Sequence, residues 1–179
     1  MGHPEICGKV GGGRREVEVE RCGCGMVTAV VEGPVHRYMA STPGCWEAYG
    51  RLLAREYEDR ARWRTHRLTV DAYAVQHPGV DGAQARNSVG IHLSRLGLMF
   101  ERGWALERAN DAMLAITAKK FEYPWLTPPS RPAGVTVEDV LAAETAEAHM
   151  QAIERWARAV WGSWAEHHAV VRGWLERIG

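Results

Sequence analysis

The stretch His66-Arg67-Leu68-Thr69-Val70-Asp71-Ala72-Tyr73-Ala74-Val75-Gln76-His77-Pro78-Gly79 restricts the fold more than any other. It reads as one short helix that Pro78-Gly79 ends after His77. A helix turns ~100° per residue, so the step from His66 to His77 is three turns plus ~20°. Val70, Tyr73 and Ala74 fall on the same stripe, and the two imidazoles stand at its ends. Three turns span ~16 Å, too far for both to hold one ion. Asp71 lies ~140° from His66 and on a different face from His77. His77 sits at the helix C-terminus, where it can cap carbonyls, and His66 lies in the first turn.

The rest of the chain reads as helices and one hairpin. Residues 1–14, with Gly11-Gly12-Gly13, have little apolar content and are expected to form a flexible leader. Residues 16–21 alternate polar and apolar, residues 26–31 are β-prone, and Cys22-Gly23-Cys24-Gly25 lies between them. That pattern is a hairpin with thiols at its tip. Thr42-Pro43 opens a helix to about residue 62, Thr as N-cap and Pro at the first helical position. Its face is Trp46, Tyr49, Leu52, Leu53 and Tyr57. Cys45 falls in its first turn, where the dipole favours a thiolate.

Further helices are expected over 84–101, with a stripe of Val89, Leu93, Leu96 and Phe100, and over 104–119. Residues 120–135, with Pro124, Pro128, Pro129 and Pro132, form a proline-rich loop. Thr136 caps a short helix over 137–143. A helical region over 145–177 carries His149, Ile153, Trp156, Val160 and Trp164 on one stripe, with Gly162 as a bend point. The expectation is a mainly α protein. Its single helical domain, 15–179, is a bundle with a small N-terminal β-hairpin or zinc-knuckle-like appendage within the cysteine-containing segment 15–45.

Composition narrows the function classes. The 179 residues suit one domain. Lys+Arg and Asp+Glu balance at 22 each, which argues against a nucleic-acid partner. No apolar run approaches the ~20 residues that span a bilayer, and the start lacks a signal-peptide core. A cytoplasmic location follows, in which Cys7, Cys22, Cys24 and Cys45 read as thiols or ligands rather than disulfides. Partners are open: a small molecule or a protein, with a homodimer compatible with the tryptophan-rich tail.

The ligand types point to a metal. Cys22 and Cys24 at a turn, His36, and Cys45 at a helix start are the soft and borderline donors of a tetrahedral zinc site. His77 or His66 could replace His36 as the nitrogen ligand. His149 on its apolar stripe and His92 near another offer a second, bundle-core alternative, yet no His-x-x-x-His pair supports it. No phosphate loop and no Gly-x-Ser-x-Gly elbow is present.

These motifs resemble a bacterial family of uncharacterised domains. The resemblance rests on Cys22-Gly23-Cys24-Gly25, on Cys45-Trp46-Glu47-Ala48-Tyr49 and on the helix from His66 through Gln76-His77-Pro78. It covers most of residues 20–103. The family's pair is usually Cys-x-x-Cys, whereas this chain has Cys-Gly-Cys. The resemblance implies a shared fold and metal site and brings no activity. Trp164-Ala165-Glu166-His167-His168 gives a weaker likeness to DinB-like helical bundles, at the level of fold.

Three function classes remain. The first is a structural or accessory zinc protein held by Cys22, Cys24, Cys45 and one histidine. The second is a metal-dependent enzyme with an open coordination position, in which His77, Asp71 and Tyr73 supply acid–base and orienting groups. Cys45 as a metal-free nucleophile is a variant of that class. The third is a metal-free scaffold or dimerisation module.

Overall fold

The computed structural model describes residues 17–117 and 121–177. The expected leader therefore lies outside the described residues, as do Cys7 and the side chain of Ile116. Strands β1 (Val19–Arg21) and β2 (Val27–Ala29) pair antiparallel, with Val19 opposite Ala29 and Arg21 opposite Val27. Eight α-helices follow among the described residues: α1 (Pro43–Glu58), α2 (Arg60–Trp63), α3 (His66–Gln76), α4 (Ala83–Phe100), α5 (Leu106–Thr117), α6 (Val137–Leu141), α7 (Ala146–Ser163) and α8 (His168–Leu175). No helix is long and apolar enough to cross a membrane among the described residues.

Local chemistry sets the boundaries. The Thr42 hydroxyl accepts from Cys45 N–H and Pro43 occupies the first turn, so α1 starts where expected. It stops at Glu58, short of residue 62. Asp59 adopts an extended backbone and caps α2 through Ala61 N–H, so the expected single helix is two. Thr136 and Asp139 form a reciprocal capping box that starts α6. The tail also breaks. Helix α7 ends at Ser163, a 3₁₀ turn spans Ala165–His167, and α8 begins at His168.

Helix α3 is the centre of the bundle and packs against α1, α4 and α7. It is buried nearly all round: Leu68, Thr69, Asp71, Ala72, Tyr73, Ala74 and Val75 are all buried. The reading of one apolar face therefore understates it, because neighbours cover several sides. The α7 stripe of His149, Ile153, Trp156, Val160 and Trp164 is buried as its spacing requires. The Trp156 ring is wholly buried and its indole N–H donates to Gln76 Oε1 at 2.9 Å. Truncating such a side chain to alanine costs about 3–5 kcal/mol. Gln76 in turn donates to Val135 O at 2.8 Å, tying the end of α3 to the proline-rich loop.

Candidate metal centre

Three pieces of backbone converge on one point. In the hairpin turn, Cys22 N–H donates to Met26 O and Gly25 N–H to Cys22 O, which folds the two thiols of the turn inward. Gly25 has φ +95°, a conformation that L side chains rarely adopt, so glycine is required there. Gly44 lets the start of α1 meet β2: a Cβ there would stand 2.8 Å from Thr28 Cβ. That close approach carries Cys45, one residue on, to the hairpin. The last turn of α3 brings His77.

The ligand atoms of Cys22, Cys24, Cys45 and His77 all lie within 4.8 Å of one another, and all four residues are buried. Cys24 Sγ is 3.8 Å from Cys45 Sγ, and Cys45 Sγ is 3.4 Å from His77 Nε2. Sulfurs bound to one tetrahedral zinc at about 2.3 Å stand roughly 3.7 Å apart, so these spacings suit one ion. Among the described residues this is the one cluster of its kind.

The imidazole is already oriented. His77 Nδ1 donates to Tyr73 O at 2.8 Å, and the His77 backbone N–H reaches the same carbonyl. With Nδ1 protonated, the Nε2 lone pair is left for the thiol side. The Tyr73 ring lies 4.1 Å from the His77 ring and stacks on Tyr49 at 3.8 Å, with Trp46 alongside. The Tyr73 ring covers the Cys45–His77 side of the cluster.

Without metal the four groups share protons unequally. Burial alone would lower the His77 pKa, but hydrogen bonds that the imidazolium donates to the Cys22 and Cys24 sulfurs raise it to about 9. Cys22 is pulled far below the usual thiol range by hydrogen bonds from Cys24 and Cys45. Cys45 is pushed far up by Cys22, Cys24 and burial. The three close sulfurs therefore share ionisation, a negative charge on one holding the proton of its neighbour. Tyr73 also stays a phenol, its pKa raised by burial and by Cys45.

The other expected site residues are elsewhere. His66 Nδ1 donates to Glu56 Oε2 at 2.9 Å, and its ring stacks on Trp63. It belongs to a buried polar cluster in which Glu56 also accepts from Thr69 and from His149 Nε2, so it does not join the thiols. His36 is likewise outside the four. It packs on Tyr38 and Trp46, and burial lowers its imidazole pKa. Asp71 is wholly buried and faces α4, accepting from Arg95 Nε at 2.7 Å and from His92 Nδ1 at 2.6 Å. Arg95 continues to Asn110 at 3.0 Å. Of the expected acid–base groups, His77 is part of the cluster and the Tyr73 hydroxyl lies 3.7 Å from Cys45 Sγ, whereas Asp71 pairs with Arg95 and His92 instead.

Sequence reasoning missed Glu56 and Arg95. Glu56 had a signal: it follows Cys45, Tyr49 and Leu52 at helical spacing on the buried face of α1. Arg95, between Leu93 and Leu96, had none.

A model of the family of unknown function DUF5946 matches residues 19–165, a span that holds all four ligand positions. The chain belongs to DUF5946. This membership fits the uncharacterised family that the cysteine and Gln-His-Pro motifs resemble, and it brings no activity. No curated protein and no solved structure matches the chain.

Proposed function

We propose that this DUF5946 member is a zinc protein whose ion is bound by Cys22, Cys24, Cys45 and His77 in a closed, structural site. The observation that carries this reading is the buried convergence of three thiols and one tautomer-fixed imidazole within 4.8 Å. Three sulfurs and one nitrogen are the donor set of structural zinc, because a soft-to-borderline ion without geometric preference accepts that tetrahedron. Four protein ligands leave no coordination position for water, which favours the structural reading over a water-activating enzyme. Bound there, the ion would join the hairpin to α1 and α3, adding to contacts such as Gly44 on Thr28 and the Tyr49–Tyr73 stack.

The test is metal analysis of protein purified without chelator, beside Cys24→Ser and His77→Ala. One equivalent of zinc in the wild type and a marked loss in both variants is the expected result. Wild-type protein that folds with no stoichiometric metal would exclude the reading.

A further inference from the structure

A cavity of about 250 Å³ opens beside the metal centre. One wall is Gly23, Cys24 and Gln76, and the other is the proline-rich loop with Ser163 and Trp164 of the tail. Of the three clustered thiols only Cys24 lines it. The loop is seated there by Pro132, which packs against Gly25 of the turn: a Cβ on Gly25 would stand 3.3 Å from Pro132 Cβ. Arg131 is the only charged side chain in the lining, and Ser130 and Ser163 add hydroxyls.

The closed ligand set limits what chemistry this cavity can host. With four protein ligands, the nucleophile available to a bound molecule would be a ligand sulfur, and Cys24, itself 2% exposed, is the ligand that lines the cavity. Three thiolates outnumber the charges of a divalent cation, so the cluster stays net negative and its sulfurs remain electron-rich. A metal-held thiolate is a nucleophile in its own right. Cys45 is wholly buried with the Tyr73 hydroxyl 3.7 Å from its sulfur, and neither Cys45 nor Cys22 lines the cavity.

We propose that Cys24 is an alkyl-acceptor site, and that the cavity admits small alkylating electrophiles carrying an anionic group, which Arg131 attracts. This rests on the zinc reading above. In the step, a lone pair on Cys24 Sγ forms the new S–C bond. The C–X bond breaks, and X leaves as an anion with the bonding pair. Nothing is oxidised or reduced and no proton moves. The thiolate becomes a neutral thioether, and the cluster loses one negative charge.

The test uses the full-length, metal-loaded protein with iodoacetate and iodoacetamide as probes. Metal content is measured first, and peptide mass spectrometry then follows each cysteine separately. The expected result is Cys24 alkylated at least about tenfold faster than Cys22 or Cys45. Arg131→Ala should lower the iodoacetate rate several-fold relative to iodoacetamide. Ser163→Trp, which fills the cavity from the end of α7, should slow both probes at unchanged metal content. Full metal occupancy with equal reaction at the three thiols, or with an unchanged probe ratio in Arg131→Ala, overturns this proposal alone. Absence of metal overturns it together with the zinc reading.

Discussion

His77 Nε2 lies 3.4 Å from Cys45 Sγ while His77 Nδ1 is held by the Tyr73 carbonyl at 2.8 Å. One helix end therefore holds the ring through Nδ1 and aims Nε2 at a thiol delivered by another helix. His77→Ala should lower zinc affinity by more than the 10–100-fold typical of losing an outer-shell partner. Competition titration against a chromophoric chelator measures it. Affinity within threefold of wild type would remove His77 from the ligand set.

Metal uptake should release protons. At pH 7 the metal-free His77, with a pKa of about 9, is protonated, and Cys45 holds its proton because its pKa is raised. Both must leave before either can bind a cation. Below the His77 pKa, affinity therefore falls as pH falls, by about tenfold per pH unit for each proton displaced. Calorimetry at pH 7 in buffers of different ionisation enthalpy counts the protons released. A count near zero contradicts the assignment.

Glu56 should matter for stability and not for metal. It is wholly buried and accepts from His66, Thr69 and His149, so Glu56→Ala strands two imidazoles and a hydroxyl. Breaking a buried charged network from one side costs about 3–5 kcal/mol. Urea unfolding of the metal-loaded protein should show a loss of that order at unchanged zinc stoichiometry. Zinc lost in the folded variant would connect this cluster to the metal centre.

Asp71 gives a parallel case. Its carboxylate neutralises the buried Arg95, so Asp71→Ala leaves a cation that is 6% exposed without its counter-charge. Destabilisation of about 3–5 kcal/mol is expected, again with zinc retained. Thermal unfolding followed by circular dichroism checks it, and a change below about 0.5 kcal/mol would show that the pair contributes little.

Gly44→Ala tests how the hairpin docks on α1. The added Cβ meets Thr28, so a loss of about 1–3 kcal/mol is expected from overpacking. Thr28→Ala in the same chain should restore part of it, because the two sites are in contact and couple. Equal stabilities of the single and double variants would show that the hairpin shifts freely.

Much of the cluster was legible in the sequence because its four candidate ligands sit at punctuation marks. Cys22 and Cys24 occupy a Gly-spaced turn, Cys45 follows Thr42-Pro43, and His77 precedes Pro78-Gly79. Turn and cap chemistry fix such positions locally, before any tertiary contact. What stayed hidden depends on distant segments. Glu56 meets His149 across 93 positions, and Asp71 meets Arg95 across 24. Periodicity assigns a helix one inner face, so it also missed that α3 is enclosed by three helices. Gly162 marked the bend before the α7 break at Trp164, whereas no proline or glycine marked the break at Asp59.

X-ray absorption at the zinc edge of protein purified without chelator tests the central claim most directly. Three sulfur neighbours at about 2.3 Å and one nitrogen at about 2.0–2.1 Å, falling to two sulfurs in Cys45→Ser, is the expected result. A wild-type shell with two or fewer sulfurs, or folded protein without zinc, would contradict it.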